Sequence, residues 1–81
     1  MRYFVHVQDG QYYPDETGTE LPDLAAVRDE AIGVTAELLR GAGRAEFWTG
    51  EDWSLHVTDD AGGDVLTLRF SAMPAAIISA R

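Results

Sequence analysis

The sequence contains no cysteine, no lysine and no asparagine, and it has no apolar run long enough to cross a membrane. Without cysteine there are no disulfides and no thiolate chemistry, which is compatible with a cytoplasmic location. All 6 basic residues are arginine and 14 residues are acidic, so the formal net charge is −8. This charge disfavours a nucleic-acid backbone or an anionic membrane as a partner, and it permits a basic protein.

The length of 81 residues is that of one small domain, in which a helix must share its core with a sheet. We expect a single α+β domain over residues 1–71. Residues 72–81 show no clear period, and we expect them to form a loosely attached C-terminal tail.

One segment, Asp23 to Arg40, has helical periodicity. Leu24, Val27, Ala31, Val34 and Leu38 step by three and four residues and form an apolar stripe. The pattern predicts that this stripe is widened on one side by Ala25, Ile32, Ala36 and Leu39. Asp23 is a good N-cap, and Gly41 is expected to end the helix in the left-handed conformation.

The N-terminal segment Arg2 to Gln8 alternates between apolar and other residues and predicts a strand. Asp9-Gly10 favours a two-residue hairpin turn, which would pair Val7 with Tyr12 and His6 with Tyr13. Because directly opposed residues share a face of the sheet, Tyr13 is expected beside His6.

Two later segments, Trp53 to Thr58 and Val65 to Ser71, also alternate and predict a second hairpin. The register that keeps the apolar residues together pairs Trp53 with Phe70, Leu55 with Leu68 and Val57 with Leu66. The predicted fold is β-β-α-β-β, a four-stranded antiparallel sheet in the order 2-1-3-4 with one helix packed on one face.

Three segments of the sequence carry a resemblance to a known family: RYFVHVQDG, DETGTELPDLAAVRDEA and WSLHVTDDAGGDVLTLRFS. They resemble a family of short bacterial proteins classed as a domain of unknown function. The most specific part runs from Gly18 to Ala31 and contains the Gly-x-Glu-Leu-Pro-Asp-Leu motif before the helix and Arg28-Asp29-Glu30-Ala31 within it. The resemblance implies the fold and a bacterial setting, and it implies no catalytic residues.

A looser similarity links the chain to the N-terminal domains of HicB-type antitoxins, which also place Pro-Asp-Leu between a hairpin and a helix. This resemblance implies that the chain itself is an antitoxin-type protein whose partner is a basic protein.

The side of the sheet away from the helix is the candidate site. Alternation places both histidines of the chain there, and Trp48, near a turn, is a further candidate for an exposed contact. No spacing motif supports a metal site or a catalytic group, so we expect that the protein binds no cofactor and is not an enzyme. The predicted interface residues are Phe4, His6, Tyr13, Trp48, His56, Val65, Thr67 and Arg69.

The mixture of aromatic and β-branched residues on this face predicts a small interaction or regulatory module that forms a homodimer or binds a protein partner. A small ligand or metal binder that uses the same face is the alternative from another class.

Overall fold

The order of secondary-structure elements follows the alternation of the sequence, with one additional short strand and one additional short helix. The structure is a computed structural model that describes residues 1–41, 45–48, 50 and 52–72. The elements are β1 (Arg2–Gln8), β2 (Tyr12–Tyr13), β3 (Thr19–Glu20), α1 (Leu24–Arg40), α2 (Ala45–Trp48), β4 (Trp53–Asp59) and β5 (Asp64–Phe70). The expected tail begins at Ala72, and its residues 73–81 lie outside the described residues.

The sheet has the order β2-β1-β4-β5, and all of its neighbouring strands are antiparallel. This order confirms the predicted arrangement of the two hairpins. In addition, β3 pairs with the first residues of β1 through Arg2 opposite Glu20 and Tyr3 opposite Thr19. This strand was not predicted because Thr19–Glu20 is too short to alternate and lies in a polar segment.

Helix α1 begins where the sequence predicts and packs on the sheet through most of the predicted stripe. The Asp23 carboxylate accepts a hydrogen bond from the Ala26 N–H at 2.9 Å, which confirms the N-cap. Val27 and Ala31 are buried against Leu55 and Val57 of β4. The helix therefore covers one face of the sheet through four of the five residues of the predicted stripe, since Val34 and Leu38 also pack against this core. The fifth, Leu24, keeps 46% of its surface exposed, so its expected place in the buried stripe is wrong.

Two further details of the helix differ from expectation. Gly41 has φ −81° and ψ −3°, so the expected left-handed ending is wrong; its N–H simply continues the helical bonding to the Glu37 carbonyl. The expected widening of the buried stripe is also wrong, because its four residues are exposed: Ala25, Ile32, Ala36 and Leu39. At 3.6 residues per turn they lie about 140° around the helix from the buried side.

The first hairpin has a different register from the predicted one. Val7 lies opposite Tyr13 and Gln8 opposite Tyr12, so the loop contains three residues, Asp9 to Gln11. Gly10 takes φ 96°, and the Asp9 N–H donates to the Gln11 carbonyl at 3.0 Å. A shift of one residue exchanges the two faces of a strand. Tyr13 therefore lies on the helix side with Val7, and the expectation that it stands beside His6 is wrong.

The second hairpin confirms all three predicted pairs, Trp53 with Phe70, Leu55 with Leu68 and Val57 with Leu66. Beyond them the register changes, because Thr58 lies opposite Asp64 and leaves Val65 as an extra residue in β5. Val65 packs against the core beside Leu66. The expectation that Val65 lies on the opposite face is therefore wrong.

A second apolar cluster closes one end of the sheet. Phe47 and Trp53 are buried there, with ring centroids 4.9 Å apart, and Phe70 and Ala72 pack against them. Helix α2 thus contributes Phe47 to the core and leaves its neighbour Trp48 at the surface.

Candidate functional site

The candidate site is the face of the sheet that helix α1 does not cover. We call it the open face. Pairing across β2, β1, β4 and β5 assigns residues to it, since directly opposed residues share a face. Its principal side chains are Phe4, His6, Tyr12, Ser54, His56, Thr58, Asp64, Thr67 and Arg69.

The two histidines form the centre of the open face. His6 of β1 lies directly opposite His56 of β4, and their ring centroids are 6.2 Å apart at an interplanar angle of 34°. The two histidines of the chain therefore meet on the face where alternation placed them both. Tyr12 of β2 extends this row, with its ring centroid 6.1 Å from that of His6.

Both ring nitrogens of His6 have fixed partners. The Asp15 N–H donates to Nδ1 at 3.0 Å, and Nε2 lies 3.0 Å from the Thr58 hydroxyl oxygen. Because a backbone N–H only donates, Nδ1 must accept and the ring proton must sit on Nε2. Nε2 then donates to Thr58. This geometry selects one neutral tautomer of His6.

The ring nitrogens of His56 meet a different pair of groups. Nε2 lies 3.0 Å from Oδ1 of Asp64, and Nδ1 lies 3.0 Å from the Thr67 hydroxyl oxygen. A carboxylate only accepts, so Nε2 carries a proton and donates to Asp64. The Thr67 hydroxyl can donate to Nδ1 or accept from it. Nε2 of His56 is therefore the donor to Asp64, and the Thr67 hydroxyl suits either role of Nδ1.

Asp15 fixes the turn that reaches over the open face from the edge of β1. Its Oδ1 accepts from the N–H groups of Thr17 and Gly18 at 3.0 Å, and its Oδ2 accepts from the Val5 N–H at 3.1 Å. Burial raises the pKa of the Asp15 carboxyl, but these three N–H donors and the nearby His6 lower it by more. The pKa of Asp15 consequently lies below its usual value.

Gly18 brings this turn against Phe4. Gly18 has φ +77°, and a Cβ atom placed there would lie 2.8 Å from both Arg2 Cγ and Phe4 Cε2. Only glycine fits both the backbone conformation and the contact. Phe4 is therefore half-buried under the turn, and the polar row around the two histidines forms the accessible part of the open face.

The structure places the predicted interface residues in three locations. Those on the open face are Phe4, His6, His56, Thr67 and Arg69. Tyr13 and Val65 lie on the helix side of the sheet. Trp48 lies at the end of α2, away from the histidine pair, with 61% of its surface exposed and its ring against Phe47.

Three residues of the site, Tyr12, Asp15 and Asp64, were not placed on the open face by alternation. Tyr12 and Asp64 reach the open face through the three-residue loop and the bulge, neither of which has an evident signal in the sequence. Asp15 had a signal, because an aspartate three residues before a glycine commonly accepts backbone N–H bonds in a turn.

In the described ranges, no three histidine, cysteine or acidic side chains come together in a group able to hold a metal ion. Among the helices described, none has the length and apolarity needed to traverse a bilayer.

Comparison with known proteins places the chain in a family. No curated protein and no solved structure matches the sequence. A family model does match, over residues 2–71, which is nearly the whole chain and includes all the strands and helices of the described residues as well as the open face. The chain belongs to the family described as Domain of unknown function (DUF6894).

Proposed function

We propose that this chain is a small non-catalytic interaction module and that the open face of its sheet binds another protein chain. The observation that carries the proposal is the histidine pair at the centre of the face. Its four ring nitrogens are all engaged by groups of the chain itself, namely Asp15, Thr58, Asp64 and Thr67.

Such engagement favours a binding surface over a catalytic centre. A general base must direct a free lone pair at the proton of a substrate, within hydrogen-bond distance or through one water. The Nδ1 lone pair of His6 already accepts a hydrogen bond from the Asp15 N–H, and its Nε2–H donates one to the Thr58 hydroxyl. Fixed rings of this kind form a surface that loses little conformational entropy when a partner binds.

The charge of the open face also favours contact with another protein. Its centre consists of imidazole rings and hydroxyls, whereas the acidic residues of the chain lie mainly in turns and on the helix exterior. The charged side chains on β5, Asp64 and Arg69, have opposite signs. Tyr12, with 56% of its surface exposed, adds an aromatic group of the type enriched in protein interfaces.

Site-specific photo-crosslinking in cells tests this function, because the reaction captures a neighbouring chain whatever its identity. A benzophenone amino acid replaces Thr67 on the open face, and a matched variant carries it at Asp60 in the exposed β4–β5 loop. We expect a discrete protein adduct from position 67 and none above background from position 60. The absence of a discrete adduct from position 67, and from Arg69 as a second site, would refute the proposed binding face.

An antitoxin-type role with a basic partner is a second candidate, favoured by the net charge of −8. In this case the partner is a cytoplasmic protein and not a nucleic acid, because the chain would repel a phosphate backbone. The adduct from position 67 would contain a basic protein, and the affinity of the complex would fall steeply with salt. Salt-independent binding would contradict this role, and so would an anisotropy titration showing micromolar, salt-dependent binding of duplex DNA.

A further inference from the structure

Helix α1 carries a second apolar stripe on its solvent side. We call it the outer stripe, and it consists of Ala25, Ile32, Ala36 and Leu39. Its residues are spaced by seven, four and three positions, which is the spacing of a helix that packs along a second helix. The core is already filled by the opposite side of α1, so the outer stripe is not needed to cover the sheet.

Exposure along the outer stripe is high for branched apolar side chains. Ile32 keeps 59% of its surface exposed and Leu39 keeps 41%. At Leu39 the outer stripe continues into an open groove of about 500 Å³ lined by Phe47, Trp48, Phe70, Ser71 and Ala72.

One flank of the outer stripe carries an acidic residue near one end and a basic residue near the other. The same flank of a second copy, with its ends reversed, would place opposite charges against them. Relative to Ile32, Asp29 lies about 60° and Arg40 about 80° around the axis in the same direction. Glu37 pairs with the Arg40 guanidinium at 2.6 Å. In a two-fold antiparallel pair of helices, equal flanks face each other with their ends reversed. In one register of such a pair, Asp29 would lie opposite the partner's Arg40, and the two-fold axis would form this contact twice.

We propose that the outer stripe is a self-association surface on which a second copy of the chain packs its own α1 in an antiparallel, two-fold dimer. The register that joins Asp29 to the partner's Arg40 also brings Ile32 beside the partner's Ala36. The contact is closed and uses the same patch on both chains, as in most homodimers. This surface is separate from the open face and leaves that face accessible.

Size-exclusion chromatography with light scattering tests the dimer. We expect the mass of two chains for the native protein and of one chain for Ile32→Glu. Because Ile32 is exposed, the variant should keep its far-ultraviolet circular dichroism spectrum and its thermal transition as a folded monomer. The matched control is Thr67→Glu on the open face, which should remain a dimer. A monomeric native protein at about 0.5 mM, or a dimeric Ile32→Glu, would overturn the proposal.

Charge exchange tests the antiparallel arrangement. Asp29→Arg and Arg40→Asp should each weaken dimerisation, by roughly tenfold for two exposed contacts per dimer. The double variant should restore the native dissociation constant, because each contact is rebuilt with its signs reversed. Failure of the double variant to recover would overturn this arrangement. Loss of the dimer in Ile32→Glu with an unchanged crosslink at position 67 separates this proposal from that of the open face.

Discussion

His6 and His56 lie opposite each other across β1 and β4, yet their hydrogen bonds differ in kind. The Nδ1 atom of His6 accepts from the Asp15 backbone N–H, and both nitrogens of His56 face oxygen atoms that can accept. The Asp15 N–H fixes Nδ1 of His6 as an acceptor, whereas the Thr67 hydroxyl can donate to Nδ1 of His56 or accept from it. The two rings are therefore inequivalent, although each lies in a strand of similar pattern.

The first prediction concerns the tautomer of His6. At a pH where the histidines are neutral, long-range ¹H–¹⁵N NMR correlations should show Nε2 of His6 protonated and Nδ1 unprotonated, because Nδ1 accepts from Asp15. In Thr58→Val the acceptor for Nε2 is lost, and we expect the chemical shift of the His6 Nε2 proton to move while that of His56 changes little. A native His6 protonated at Nδ1 would contradict the hydrogen bond from Asp15.

The second prediction concerns the acid dependence of stability. The pKa of Asp15 is lowered in the folded chain from its ordinary value of 3.8, because burial, which raises it, is outweighed by the backbone N–H bonds. A lowered pKa means that the unfolded chain binds the proton more tightly, so the stabilising contribution is complete above 3.8. It is lost as the pH falls from 3.8 through the lower folded value.

Asp15→Asn should therefore lower the free energy of unfolding by about 1.5–3 kcal/mol at pH 7, the range for hydrogen bonds to a charged group. The difference from the native chain should shrink at about pH 2, well below the ordinary pKa of 3.8, because the native carboxyl takes up its proton as the pH falls. Urea titrations at both pH values measure it, with Asp60→Asn in the exposed β4–β5 loop as the control. An equal deficit at both pH values would assign the effect to amide geometry and not to charge.

The sequence predicted the two long strands of the second hairpin and the helix, because these depend on apolar periodicity, and it predicted the strand order from the handedness of the crossover. Periodicity does not determine local counts of residues in turns and bulges. The Asp9-Gly10 dipeptide suits a two-residue turn, but the chain forms a three-residue loop, and Tyr12 takes the place expected for Tyr13. One extra residue in β5 likewise exchanges Val65 for Asp64 on the open face.

The exposure of the outer stripe was also not predicted from the sequence. The pattern predicted the outer stripe as an extension of the buried one, but at about 100° per residue it lies about 140° around the helix, too far for one face to include both. Whether such residues are covered depends on the width of the sheet beneath them and on the angle at which the helix crosses it.

The third prediction compares leucines that the pattern treats alike. Leu55→Ala should lower the free energy of unfolding by about 2–5 kcal/mol, because Leu55 is completely buried between the sheet and α1. Leu38, partly buried at the edge of the same core, should cost less when replaced by alanine. Leu39→Ala should change the stability of the monomer by less than about 1 kcal/mol. Equal costs for Leu38 and Leu39 in urea titrations would contradict the orientation of the helix.

The fourth prediction concerns Gly18, where a backbone conformation and a close contact act together. Gly18→Ala places a Cβ atom 2.8 Å from the Phe4 ring at φ +77°, so the turn must lift or the ring must move. We expect a loss of about 2–4 kcal/mol in the free energy of unfolding, as the sum of conformational strain and overpacking. Amide exchange should also quicken at Val5, whose N–H is bonded to Asp15.

Two glycines separate these causes. Gly62 has a similar φ of +83° but open space around its Cα, so Gly62→Ala should show the strain alone, about 1 kcal/mol. Gly33→Ala, in the middle of α1 with no neighbour within 4 Å, should stabilise the monomer by up to about 1 kcal/mol through helix propensity. If Gly18→Ala cost no more than Gly62→Ala, the turn would not be packed on Phe4, and Phe4 would belong to the accessible part of the open face.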